Sequence, residues 1–257
     1  EQAEAEAESQ WKKKKTAKGY VESIAAAEAG EVDALVEGGY SPMLAHRYDQ
    51  RGDDIIFPAY VQPKLDGHRC VTDSDRRLWS RTRKPINSMP HITHALRTSL
   101  AQPYDGELYV HRAHGPGRDV QTPEGEIHLS GAEVDFETLT SLIRASEPQP
   151  GHEAMQYHVY DVNRPGIFAQ RLAWLQEHLR QSETVRLVET LLVHDEDEMM
   201  LVFENFLAAG YEGLMVRNAE GRYADGKRSA DLQKVKKFID SEFEVVGQLR
   251  QSALVLW

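Results

Sequence analysis

The 257-residue chain has a single cysteine, Cys70. No intramolecular disulfide can form, and a zinc site built from cysteines is excluded. Nowhere do apolar residues run on for the roughly 18 positions that a membrane-spanning helix needs. The opening EQAEAEAESQ is polar and acidic, without the apolar core of a secretory signal. These absences predict an intracellular protein with no membrane partner. An excess of positive charge is also missing: 30 Lys and Arg face 41 Asp and Glu, for a formal net charge of −11. That argues against a protein that coats nucleic acid by bulk attraction. There is no internal repeat, and no low-complexity tract beyond the N-terminal acidic and lysine runs.

What is present is ordinary for a globular protein: 40% hydrophobic and 28% charged residues in a chain long enough to bury a substantial core. The charge is unevenly spread. Residues 62–90 carry seven basic side chains (Lys64, Arg69, Arg76, Arg77, Arg81, Arg83, Lys84) against three acids. Residues 221–238 carry six (Arg222, Lys227, Arg228, Lys234, Lys236, Lys237) against two. Each segment is a local +4 in an acidic protein.

Hydrophobic periodicity predicts a helix over residues 21–36, stopped by Gly38-Gly39, after a charged lead-in. Strands are expected at 59–62 and 68–72, joined across Lys64-Leu65-Asp66-Gly67, with a third at 76–80. A helix at 89–100, a strand at 105–111 and a Gly/Pro-rich loop at 114–122 follow. Helices at 136–145 and 168–180 flank a strand at 155–162. Then come a strand at 185–193, a helix at 195–209, and strands at 213–217, 231–238 and 243–249. The mixture is α+β.

Certain short segments combine residues that suit phosphate chemistry. Lys64-Leu65-Asp66-Gly67-His68-Arg69 offers an amine, a glycine turn and a planar guanidinium. A lysine is a nucleophile only when neutral, so it needs surroundings that disfavour its proton. Asp105-Gly106-Glu107-Leu108 and Glu212-Gly213-Leu214-Met215-Val216-Arg217 each set a carboxylate beside an apolar strand, which suits Mg²⁺. Leu232-Gln233-Lys234-Val235-Lys236 puts two lysines on one strand face, which suits a polyphosphate. Taken singly, each segment also reads as strand-edge charge that keeps a sheet soluble.

Their order, with Tyr160-Asp161 between the second and third, resembles the covalent nucleotidyltransferase superfamily over most of the chain. That superfamily holds DNA ligases, RNA ligases and capping guanylyltransferases. Within it, Ser41-Pro42-Met43-Leu44-Ala45, Phe57-Pro58, Ser80-Arg81-Thr82 and the EGLMVR and KVKKF spellings are most similar to compact ATP-dependent DNA ligases of bacteria, phages and viruses. The resemblance implies a nucleotidyltransferase (ATP-grasp-like) domain of two packed antiparallel sheets flanked by helices, at residues 41–240. It would follow a charged extension with one helix (1–40) and precede the truncated entry to an OB-fold domain (241–257), the remainder of that barrel being absent.

It further implies that Lys64 attacks the α-phosphate of ATP and carries a covalent AMP. Arg69 and Glu107 would engage the ribose and neighbouring groups, and Tyr160 would stack on the adenine. Gln62 would read the adenine edge, and Glu107 and Glu212 would bind Mg²⁺ or Mn²⁺. Lys234 and Lys236 would contact the α-phosphate and steady the leaving group, while Arg81 would touch the 5′-phosphate of a nicked strand. The implied partner is nicked double-stranded DNA, met by a monomer in replication, repair or recombination. An RNA ligase, a capping guanylyltransferase and a non-catalytic module that binds nicked DNA are the alternatives.

Two other patterns carry no site. Residues 221–227 nearly spell a phosphate-binding P-loop, but Arg228 stands where a Ser or Thr must hold magnesium. The pairs His91/His94 and His111/His114 have metal-like spacing but no further ligands nearby.

Overall fold

The computed structural model describes residues 38–111, 118–122, 125–129 and 136–236. The helix expected at 21–36, the strand expected at 243–249 and the proposed OB-fold entry lie outside the described residues.

The described chain forms two five-stranded sheets. The first contains β1 (Leu44–Arg47), β2 (Ala59–Lys64), β10 (Leu191–Val193), β11 (Gly213–Asn218) and β12 (Arg228–Lys236), in the order β1-β12-β11-β2-β10. The second contains β3 (His68–Thr72), β4 (Leu78–Ser80), β5 (Tyr104–Tyr109), β8 (Gln156–Val162) and β9 (Val185–Leu187), in the order β4-β3-β5-β8-β9. A hairpin of β6 (Arg118–Thr122) and β7 (Gly125–Leu129) forms a separate two-stranded sheet, its first strand lying within the loop expected at 114–122.

Each sheet buries one face beneath helices. Against the first lies the helix Glu196–Ala208. Asp195 caps its N-terminus by accepting a hydrogen bond from the Glu198 amide at 2.8 Å, and Glu196, Asp197 and Glu198 complement the dipole of the first turn. Its buried Met199, Phe203 and Phe206 follow helical spacing and meet Ala59, Val61, Val193, Leu214 and Val216. Gly210, at φ 90°, then takes the left-handed turn that ends it. The second sheet packs Cys70, Leu108, Tyr157 and Val159 against side chains of the helices Pro90–Ala95, Phe136–Arg144 and Phe168–His178. Among the described residues no helix is long and apolar enough to cross a membrane.

Strand alternation then assigns the other faces. Val61 goes to the helix side, and Gln62 and Lys64 to the opposite side. Leu214 and Val216 go to the core, Met215 and Arg217 away from it. The faces left by the two cores enclose the cavity described below.

Several expectations need correction. β2 and β3 do not form a hairpin: the chain leaves the first sheet after Lys64 and enters the second at His68. Gly67 is required there by close approach, since a Cβ would collide with the Leu108 carbonyl oxygen and lie 2.8 Å from Glu107 Cγ. The single strand expected at 185–193 is two, β9 in the second sheet and β10 in the first, with a second crossing between them. The strand expected from residue 76 begins at Leu78, because Arg76 (φ 64°) sits in a tight turn organised by Asp73. The helix expected over 89–100 is α-helical only over Pro90–Ala95 and continues as a 3₁₀ turn. The sheets are mixed instead of purely antiparallel: β1 runs parallel to β12, and β9 parallel to β8, both at edges.

Candidate active site

Between the sheets lies a cavity of about 260 Å³. The first sheet lines it with Gln62, Lys64, Met215, Arg217, Arg228 and Lys234, and the second with Arg69, Glu107 and Tyr160; exposed Arg81 stands at its edge. Seven residues singled out in the sequence, from five strands and one turn, are thus brought together.

At one end, Glu212 bridges two lysines: Lys64 Nζ bonds to Oε2 and Lys236 Nζ to Oε1. Glu212 immediately precedes β11, which pairs with both β2 and β12, so register alone brings Lys64 and Lys236 opposite Gly213. Burial would raise the Glu212 carboxyl, but hydrogen bonds from Lys236 and Lys64 outweigh it and hold the group below its ordinary value. Lys234 is held below the usual lysine range by burial, with the Lys236 and Lys64 charges adding to it. This is the cationic clustering that a phosphate group would relieve.

At mid-cavity, the Tyr160 hydroxyl lies 3.1 Å from the Gly106 carbonyl oxygen and 3.2 Å from Glu107 Oε2, and can donate to either. Arg69 lies 5.0 Å from the Tyr160 ring centre. Two of its nitrogens bond to Asp105 at 2.6 Å each, and Nη2 also donates to the Met43 carbonyl at 3.0 Å. Arg69, expected to engage the ribose and neighbouring groups, spends most of its donors holding β3 to β5 and to the segment before β1. Burial, only partly offset by Arg69, Tyr160 and Lys64, pushes the Glu107 carboxyl up to about 7.

The folded state therefore holds the Glu107 proton more tightly than the unfolded chain does. The stability it contributes is present at low pH and is lost as pH rises toward about 7. Glu107→Gln is accordingly expected to raise the thermal midpoint near pH 8 and leave it unchanged near pH 4, where both forms are neutral. Calorimetry at the two pH values checks this; an equal shift at both would contradict it.

At the far end Gln62 is joined to three charged residues with no expected role, Arg217, Asp161 and Arg171. Gln62, 2% exposed, accepts from Arg217 Nε at 2.9 Å. Arg217 Nη1 donates to Asp161 at 2.7 Å, and Asp161 also pairs with Arg171 at 2.8 and 3.1 Å. All three charged side chains are buried. A signal for them was available: Asp161 and Arg217 each sit in an apolar strand, where an unpaired charge is too costly to persist.

The model of the ATP dependent DNA ligase domain matches residues 42–236. The chain belongs to that family. Among curated ligases of this kind, the DNA ligase of Enterobacteria phage T6 is 27% identical, over 80% of this chain and 50% of that protein. The DNA ligase of an African swine fever virus isolate (Pig/Kenya/KEN-50/1950) is 30% identical, over 72% and 43%. The chain spans about half the length of the curated ligases it matches. Of solved structures, Chlorella virus DNA ligase-adenylate superposes with a TM-score of 0.58 at 21% identity, over 79% of this chain and 71% of that one. A Lig E DNA ligase gives 0.58 at 22%, over 78% and 69%. The two mixed sheets flanked by helices are thus the fold of the ligase adenylation domain.

Proposed function

We propose that this chain performs the adenylation chemistry of an ATP-dependent DNA ligase. Lys64 attacks the α-phosphate of ATP, a phosphorus–nitrogen bond forms as pyrophosphate leaves, and the AMP then passes to the 5′-phosphate of nicked duplex DNA. A neighbouring 3′-hydroxyl displaces the AMP to close the strand. The observation that carries this reading is the position of Lys64: it lines the inter-sheet cavity, bonded to Glu212, with Lys236 on the same carboxylate and Lys234 nearby.

The roles follow from position and chemistry. Tyr160 offers its ring to the adenine, and Gln62 its carboxamide to the base edge. Lys234 and Lys236 neutralise charge on the phosphates as pyrophosphate departs, a contribution that depends on positioning more than on covalent chemistry. Arg69 keeps one nitrogen for the ribose or phosphate. Exposed Arg81 suits the DNA 5′-phosphate, a contact that is sequence-independent and salt-sensitive.

Glu107 and Glu212 are oxygen donors that both interact with Lys64. Among the described residues no group of three acidic, His or Cys side chains could hold a metal unaided. Two carboxylates fit Mg²⁺ or Mn²⁺ that completes its shell with nucleotide phosphates and water. Such an ion, when bound, supplies positive charge to the polyphosphate. On this reading the protein works as a monomer inside the cell, with no membrane partner.

The test is incubation with α-labelled ATP and, in parallel, α-labelled GTP, with Mg²⁺, then denaturing electrophoresis and a chase with nicked duplex DNA. Label is expected from ATP alone and should move to the DNA during the chase. Label from GTP would favour a guanylyltransferase. Transfer to nicked RNA but not DNA would favour an RNA ligase, and DNA binding without label a non-catalytic module.

A further inference from the structure

We propose that Thr190 is the positioning residue that sets the site's preference for a 6-aminopurine, acting through the carboxamide of Gln62. The inference rests on the reading of the inter-sheet cavity as a nucleotide site.

A glutamine amide has two donors on nitrogen and two lone pairs on oxygen. Both donors of Gln62 are engaged: Nε2 donates to the Tyr160 carbonyl at 3.1 Å and to Thr190 Oγ1 at 3.0 Å. One lone pair of Oε1 is engaged by Arg217 Nε at 2.9 Å. The orientation of the amide is dictated by its partners. Arg217 can only donate and the Tyr160 carbonyl can only accept, so oxygen must face the first and nitrogen the second. Thr190 closes the arrangement, because its hydroxyl donates to the Val188 carbonyl at 3.0 Å. With its proton committed there, it meets Gln62 as an acceptor.

Gln62 lines the cavity, and what it has left to offer a base is one lone pair on Oε1. That valence accepts the 6-amino group of adenine. It repels the 6-carbonyl of guanine, and a buried polar group facing the wrong partner is the strongest basis for rejecting a ligand. Arg217 and the Tyr160 carbonyl decide which end of the amide is oxygen, and Thr190, holding the second amide hydrogen, fixes the tilt of the amide plane; without it the carboxamide could swing about its last torsion and carry Oε1 off the base edge. Thr190 is not among the cavity-lining side chains and sits at the second crossing between the sheets, between β9 and β10. Its influence on a bound base must therefore pass through Gln62.

The test uses the full chain, wild type, Thr190→Val and Thr190→Ser, with ATP, GTP and a purine triphosphate bearing hydrogen at position 6. Equilibrium binding and the kcat and KM of covalent loading are both measured. Wild type is expected to prefer ATP over the other two. Thr190→Val should lower the ATP-to-GTP ratio about tenfold, the size of one lost hydrogen bond, through KM with kcat kept, and Thr190→Ser should restore it. Should Thr190→Val fail to fold, Thr190→Ala is measured in its place with the same expected and overturning results, and a 6-hydrogen purine bound by wild type as well as ATP also overturns the proposal. An unchanged ratio in Thr190→Val with covalent loading intact overturns the proposal and leaves the adenylation reading standing. Selective binding that Thr190→Val loses, without any covalent loading, upholds the proposal and overturns the transfer step. No binding of any nucleotide overturns both.

Discussion

Lys64→Arg is expected to abolish covalent loading from α-labelled ATP, by a factor on the order of 10⁴ or more, with little change in thermal midpoint. Arginine keeps the positive charge and can still meet Glu212, so the Lys64–Glu212–Lys236 cluster retains its electrostatic balance. A guanidinium, however, does not lose its proton inside a protein and offers no nitrogen lone pair for attack at phosphorus. Binding of ATP should persist, since Gln62, Tyr160 and Lys234 are untouched. Residual loading above about one hundredth of wild type would show that another residue takes the AMP.

Asp161→Ala is expected to lose about 3–5 kcal/mol of stability, because it leaves two guanidiniums buried without their shared carboxylate. Asp161 is 0% exposed, and the side chains of Arg171 and Arg217 are 1% and 4% exposed. Arg171 also holds the Gly166 and Gly221 carbonyls at 2.9 and 3.1 Å, so its displacement would loosen the start of the helix Phe168–His178. Loss of Arg217's anchor would free Gln62, and ATP binding should weaken even where the protein remains folded. By contrast, removing the exposed Arg77–Asp75 pair should cost less than about 1 kcal/mol. Denaturant titration of both variants checks the contrast, and a loss below about 1 kcal/mol for Asp161→Ala would contradict it.

Much of this site was legible in the sequence because strand alternation is a strict rule. Once Val61 and Leu214 are core, Gln62, Lys64, Met215 and Arg217 must face the other way, and the pairing of Lys234 with Lys236 follows from the same period. The proposed roles of Lys64, the two carboxylates and Tyr160 came from motif order. What was not legible depends on contacts distant in sequence. The segments around Lys64 and Thr190 look locally like a hairpin and a continuous strand. Each is a crossing between sheets, and only the pairing of β2 with β10 and β11, and of β3 with β5, makes that visible. Thr190 lies 128 residues from the glutamine it holds, and nothing in its own surroundings marks it. Gly67 was read as a turn residue when its reason is the backbone of β5, likewise remote. The parallel edges escaped because alternation is the same in both strand directions.

The location of the AMP tests the role of Lys64 most directly. Protein loaded with ATP and Mg²⁺ would be digested under mildly alkaline conditions that preserve a phosphorus–nitrogen bond, and its peptides mapped by mass spectrometry. One AMP is expected, on the side-chain nitrogen of Lys64 and removable by acid. AMP on Lys234 or Lys236, or ATP bound without any covalent addition, would contradict it.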